Sequence, residues 1–220
     1  AKNRLSGLIP PELGDMTTLK MLNLSGNSLT GAIPLSLGDL FRLRRLNLSE
    51  NQLTGHVPVA LADLNKLERL ILAGNRLDGS LPAKYGTLAN LRELDLSGNK
   101  LTGGIPEDLC RLKRLHRLDL SDNNFKGDLP AEVRKLEWLN ELDVSGNQLS
   151  GAVPKGLSEL KYLWRLSLAD NEFKGAVPSA IAQLRHLQEL DLSGNRLTGD
   201  IPRAFGALGE MRVLRLDDNR

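Results

Sequence analysis

Residues 91–115 read LRELDLSGNKLTGGIPEDLCRLKRL. Leu91, Leu94 and Leu96 are separated by polar residues, and the period of two over Leu94 and Leu96 predicts a strand with one buried face. Asn99 follows at once. Then come Leu101, Gly103, Ile105 and Pro106, which predict a second extended arm. Pro106 opens a short helical or 3₁₀ return through Leu109 and Leu112, at a position where its missing N–H costs nothing. The frame repeats as Leu118, Leu120, Asn123, Phe125, Gly127, Leu129 and Pro130, and again as Leu142, Val144, Asn147, Leu149, Gly151, Val153 and Pro154. Its apolar positions all point one way. No single unit can bury that face, so successive units must stack to form a core.

The period is 24 residues throughout. Asparagine recurs at Asn27, Asn51, Asn75, Asn99, Asn123, Asn147, Asn171 and Asn195, and at Asn3 and Asn219 at the ends. Where the chain turns sharply out of each strand, backbone N–H and C=O groups are buried without partners in a strand ladder. An inward-pointing amide offers donors and an acceptor together and can bond the backbone of adjoining turns; aspartate can only accept. The ladder is therefore expected to be structural. Glycines at every 24th position from Gly31 to Gly199 suggest a bend or a close backbone approach.

The string L-x-x-L-x-L-x-x-N-x-L-x-G-x-I-P-x-x-L-x-x-L, as in LRELDLSGNKLTGGIPEDLCRL, resembles the plant-type leucine-rich repeat of receptor-kinase ectodomains and polygalacturonase inhibitors. The match runs through essentially all 220 residues. The resemblance implies an α/β solenoid: a right-handed superhelix with a parallel concave sheet, second short strands at L-x-G-x-I-P, and short helical or 3₁₀ segments on the convex side. It also implies an extracellular setting. A single array of about nine repeats spanning residues 1–220 is expected, roughly 40 Å long at a strand spacing of about 4.8 Å. It carries no evident terminal caps and lacks the paired cap cysteines usual in that class, since Cys110 is the one cysteine. An excerpt of a longer chain and an engineered or artificial array, with a cytoplasmic setting as the alternative, both fit that pattern.

Net charge is +2 and evenly spread: residues 1–110 carry 12 Lys/Arg and 11 Asp/Glu, residues 111–220 carry 17 and 16. That balance argues against a nucleic-acid partner, which needs clustered basic charge. No apolar run is long enough to insert in a membrane. His56, His116 and His186 fall at three different frame positions, and no nucleophile, zinc or phosphate-loop motif occurs. No catalytic residue, cofactor or metal is expected. One residue per strand also supplies too few oxygens for calcium at Asp95, Asp119 and Asp143.

Function is expected on the outward positions of the strands. Six residues before each Asn, the column reads Met21, Arg45, Arg69, Glu93, Arg117, Glu141, Arg165, Glu189 and Val213, alternating in sign from Arg69 to Glu189. Opposite charges on adjacent strands attract, so this is either a ladder that keeps the sheet soluble or a charge code for a partner. Two positions on, Asp95, Asp119 and Asp143 repel one another unless a cation joins them; screening by Arg69, Arg92, Arg117 and Arg165 is expected, and a docking basic peptide is the functional alternative. Trp138 and Tyr162 (with His186) sit nine residues before their Asn, and His116 and Trp164 seven before. All five are expected at the edge where the chain enters the concave sheet, either as interface anchors or lying flat and packed on their neighbours. The expected partner surface is thus His116, Arg117, Trp138, Glu141, Asp143, Tyr162, Trp164, Arg165, His186 and Glu189.

A non-enzymatic scaffold that recognises a protein or peptide on its concave face is the leading expectation. A structural or artificial array with no natural ligand is the alternative, and polygalacturonase-inhibitor-like binding, implied by the resemblance, is the third. Asn23 and Asn47 lie in N-glycosylation sequons that the repeat itself generates. Thr30, Thr54, Thr102 and Thr198 form a column like those of ice binders, interrupted by Asp78, Lys126 and Lys174. Apolar edges around Leu5, Leu8 and Ile9 and around Phe205, Leu208 and Leu214 are expected to be exposed and to favour end-to-end self-association.

Overall fold

A computed structural model of the chain describes residues 3–220; Ala1 and Lys2, the first residues of the expected array, lie outside the described residues. Nine three-residue strands, from Met21–Asn23 to Val213–Arg215, form one parallel sheet in sequence order. The middle residue of each strand points inward, and Leu94, Leu118, Leu142, Leu166 and Leu190 are all buried. Neighbours pair at an offset of one full repeat: Arg117 with Glu93 on one side and Glu141 on the other. The outward columns read from the sequence are therefore real columns on this sheet.

Short second strands lie across each unit. They form runs of four, three and two, linked by isolated bridges between Ser80 and Thr102 and between Ala152 and Lys174. Here Thr30 pairs with Gln52 and Lys126 with Gln148, an offset of 22 rather than 24. Equivalent residues slip by two positions per unit on this side, roughly 6.6 Å along the strand, while the concave side stays in step. That difference turns each unit against the one before it.

The return segments are 3₁₀ helices of five residues, from Pro11–Asp15 to Arg203–Ala207. Each follows a proline whose carbonyl accepts the first turn's hydrogen bond, as in Leu109 N–H to Pro106 O at 3.0 Å. One inward helix column reads Leu37, Leu61, Tyr85, Leu109, Val133, Leu157, Ile181 and Phe205, all buried. Tyr85 replaces a leucine there, and its hydroxyl donates to Pro58 O at 2.9 Å, so the buried oxygen is satisfied. Of the apolar edges expected to be bare, Leu5, Leu8 and Leu214 are exposed, but Ile9, Phe205 and Leu208 are buried. These three belong to inward columns, and one neighbouring unit suffices to cover them.

The asparagine ladder has the geometry its chemistry demands. Asn99 donates from Nδ2 to Leu72 O, Leu96 O and Ser97 O at 3.0–3.1 Å, and its Oδ1 accepts Leu77 N–H at 3.0 Å. Each amide thus ties its own turn to the unit before it. The residue just before each ladder Asn is left-handed: Gly74 and Gly98 at φ 64° and 62°, but Glu50 at 54°. Only Glu50 puts a long side chain without a short polar group at that position, where Asp122, Asp170 and Asp218 also stand.

Two stability outcomes are expected. Asn99→Leu strands four buried backbone groups and should lower the unfolding free energy by about 3 kcal/mol or more. Asn27→Leu, whose amide reaches only two carbonyls, should cost less. Glu50→Gly should stabilise by about 0.5–1 kcal/mol, the left-handed penalty less the added chain entropy of glycine. Urea denaturation of the three variants measures all of this; equal losses at Asn99 and Asn27 would remove the ladder from the explanation.

Candidate functional site: an outward-facing charge strip and an aromatic stack

On the concave strands, each aspartate divides its two oxygens between two tasks. Asp119 Oδ1 accepts from Ser121 N–H at 3.1 Å and Ser121 Oγ–H at 2.6 Å, closing the turn that leads to the ladder Asn. Asp95, Asp143 and Asp191 do the same with Ser97, Ser145 and Ser193. The other oxygen faces an arginine: Asp119 Oδ2 lies 3.0 Å from Arg117, Asp143 Oδ2 3.2 Å from Arg165, and Asp191 Oδ2 3.2 Å from Arg215. Asn23 and Asn47 make the same turn bonds to Ser25 and Ser49. The sequon pattern at these two sites is therefore accounted for by turn chemistry, since Asn supplies the accepting oxygen equally well.

Arg117 is the centre of the strip. It reaches Asp95 at 3.8 Å, Asp119 at 3.0 Å and Glu141 at 3.2 Å. Partial burial opposes its charge, but Asp119, Glu141 and Asp95 outweigh that and hold its pKa above the ordinary value. Arg165 bridges Asp143 and Glu189 at 3.2 and 3.4 Å. Arg69 pairs with Glu93 at 3.4 Å. The expected screening by Arg92 does not occur among the ion pairs of the described residues. Across the five strands from Glu93–Asp95 to Glu189–Asp191 stand seven carboxylates and two arginines. On a chain of net charge +2, this strip is markedly acidic.

The five aromatic and imidazole residues divide into two groups. His116 and Trp164 directly precede the strands Arg117–Asp119 and Arg165–Ser167 and are half-buried at the sheet edge. Their carbonyls accept the next unit's N–H groups, as in Gln188 N–H to Trp164 O at 2.8 Å. Trp138 and Tyr162 lie earlier, in the turns that follow the 3₁₀ helices, and are 51% and 47% exposed. Their rings stack with centroids 5.0 Å apart and planes within 3°, close to the strand spacing that the 24-residue period imposes. His186, next in that column, turns to Glu210 at 3.1 Å, and Arg114, the one before, to Asn90 at 2.8 Å. Trp138, Tyr162 and His186 therefore occupy the turn face beside the sheet, not its concave surface.

Around the stack lies a recess of about 670 Å³ lined by Arg134, Lys135, Ser158, Glu159, Lys161 and Gln183 among others. None of these residues belongs to the partner surface expected from the sequence. Their signal was their place in the helix tips one to four residues before each aromatic. Among the described residues no group of His, Cys, Asp and Glu is arranged to hold a metal, and no helix is long and apolar enough to cross a membrane.

Family models place this architecture. One described as a leucine-rich repeat region matches residues 89–220, and a leucine-rich-repeat model matches 17–77. The chain belongs to the leucine-rich-repeat family. It is similar in structure to the ectodomain of the Arabidopsis thaliana plant membrane receptor kinase GASSHO1/SCHENGEN3 in complex with CASPARIAN STRIP INTEGRITY FACTOR 2. That match has 39% identity and a TM-score of 0.96 over 98% of this chain and 26% of that one. The Arabidopsis receptor kinase HAESA in complex with the peptide hormone IDA and the co-receptor SERK1 is 35% identical, with a TM-score of 0.95 over 99% and 37%. A plant ice-binding protein is 32% identical, with a TM-score of 0.81 over 100% and 74%. The chain thus spans between a quarter and two fifths of the length of these two receptor structures. Among curated proteins, none matches the sequence.

Cys110 is buried on the convex side, and burial first, then nearby Glu132, pushes its thiol up to about 11. A thiol whose folded pKa is raised is stabilising as the neutral form, and that contribution is lost as pH rises from about 9 to about 11. In the folded protein at pH 8, a thiol reagent should label Cys110 at least tenfold more slowly than in urea. Equal rates would mean the helix column opens far more readily than its packing implies.

Proposed function

We propose that the chain is a non-enzymatic recognition module whose concave strip binds a cationic peptide or protein segment in an extracellular setting. The observation that carries this reading is the carboxylate surplus on the outward columns of strands Glu93–Asp95 to Glu189–Asp191. Inward columns repeat leucine, whereas outward ones vary, and only the outward ones are available to a partner. Arg117 and Arg165, with Arg69 and Arg215 at the two ends, give each of the seven carboxylates a partner, but four arginines leave three negative charges in surplus, which a ligand guanidinium or ammonium offsets. Trp164, at the edge of the same sheet, provides the apolar anchor that charge alone lacks. The receptor ectodomains named above are described in complex with peptide ligands, which supports a peptide as the partner class. The ice-binding neighbour suggests the threonine column instead, but Asp78, Lys126 and Lys174 break that column on its exposed face.

Asp143→Asn keeps the Ser145 turn bonds and removes one charge. Together with Glu141→Gln it should weaken binding of an arginine-rich peptide at least tenfold, mainly through slower association, and flatten the salt dependence. Trp164→Ala should cost about 2 kcal/mol of binding through faster dissociation. Stopped-flow binding kinetics at two salt concentrations test both. Tight binding that ignores all three substitutions would displace the site from this sheet.

A further inference from the structure

The recess beside the Trp138–Tyr162 stack differs in every respect from the concave strip. It faces sideways, from the turns and helix tips, and its rim is cationic. Two of its carboxylates are already matched: Glu137 by Lys113 at 3.2 Å and Glu159 by Arg134 at 3.8 Å. Lys135 and Lys161 pair with no carboxylate among the described residues, and they stand next to Trp138 and Tyr162 in the recess lining. Segments 107–116, 131–140, 155–164 and 179–188, which form this side, carry eight Lys/Arg against five Asp/Glu. The same units carry the acidic strip on their concave side, so the solenoid is polarised across its width.

The stack itself has more surface than its structural task uses. The two rings cover each other's inner faces, yet each remains about half exposed. Elsewhere in the column the pairs are polar and solvated, Arg114 with Asn90 and His186 with Glu210, so spanning successive turns does not require aromatics. Half-exposed Trp and Tyr in a recess, ringed by unpaired lysines, combine an apolar anchor with a charge that selects its partner.

We propose that this face is a second docking surface, for an acidic segment of a partner protein. The partner's carboxylates meet Lys135 and Lys161, and one of its apolar or aromatic side chains enters the recess against Trp138 and Tyr162. Opposite charge on the two surfaces lets the chain hold a cationic ligand on its sheet and an acidic protein on its turns without either competing for the other's site.

The chain's only tryptophans report on the two surfaces separately. In a Trp164→Phe variant all tryptophan emission comes from Trp138. Adding a short peptide of alternating Glu and Tyr should then change that emission saturably. Charge reversal by Lys135→Glu with Lys161→Glu should weaken binding at least tenfold, and the milder Lys161→Gln about threefold. The control pair Lys174→Glu with Arg203→Glu, which removes equal charge away from this side, should change affinity less than twofold. In a Trp138→Phe variant the same peptide should leave Trp164 emission unchanged. Three results would overturn the proposal: no response at Trp138, a response at Trp164 instead, or equal losses from the recess and control pairs. The arginine-rich peptide is read at Trp164, so failure of the concave site and failure of this one are separate outcomes.

Discussion

A single amide, repeated, holds the molecule together. From Asn51 to Asn219 each ladder asparagine joins three carbonyls and one N–H that no strand can reach, and Asn51, Asn75, Asn99, Asn123, Asn171 and Asn195 do so while buried. Without it the chain could not leave the concave strand so abruptly, because the turn would bury unpaired backbone groups at a cost of about 1–3 kcal/mol each. The sharp turn keeps each unit to 24 residues, and a constant unit length keeps the concave strands in step. The charge strip exists only because they are in step: one inserted residue would shift every outward column behind it against its neighbour.

The frame was legible because its constraints are local. Period-two leucines, an inward Asn and a proline before the helical return can each be read within one unit, and the sheet register follows from their constant spacing. Side-chain pairing on the concave columns was legible for the same reason: Arg117 beside Glu141 is a consequence of 24 residues per turn. The division of labour within each aspartate was harder to see. Asp119 and Ser121 stand two residues apart, as do Asn23 and Ser25, and only the turn geometry shows that both pairs make the same bond. That bond explains why Asn (Asn23 and Asn47) and Asp (Asp95, Asp119, Asp143 and Asp191) serve equally in the column, and why the second oxygen of Asp is left over for arginine.

His116 and Trp164 stand at the sheet edge where they were expected, whereas Trp138, Tyr162 and His186 lie two positions earlier, in the turns. Trp138 and Trp164 differ by two frame positions, which is less than the precision with which a strand start can be read from apolar spacing. Two positions nonetheless separate a turn from a sheet edge. Lys135 and Lys161 were illegible for another reason. Charged residues at helix tips ordinarily face water, and nothing in the sequence near them says that an aromatic pair from two successive units will close a recess beside them. The burial of Ile9 and Phe205 follows the column rule; reading them as bare edges gave position along the chain more weight than position in the frame.

A solenoid has no pocket deep enough to desolvate a ligand on all sides, so its affinity must come from area, charge and a few anchors. The two proposed surfaces answer that limit in different ways. On the sheet, carboxylates are pre-positioned by turn bonds to serine, so their orientation is fixed before any ligand arrives. On the turns, the stacked rings are fixed by one another. Exposed ion pairs contribute only about 0–1 kcal/mol each, so neither surface can rely on charge alone. Each joins its charge to aromatic area, Trp164 at the sheet edge and Trp138 with Tyr162 in the recess. The pairing follows from the repeat: a period that places equal positions about 5 Å apart aligns charges into strips and aromatic rings into stacks by the same geometry.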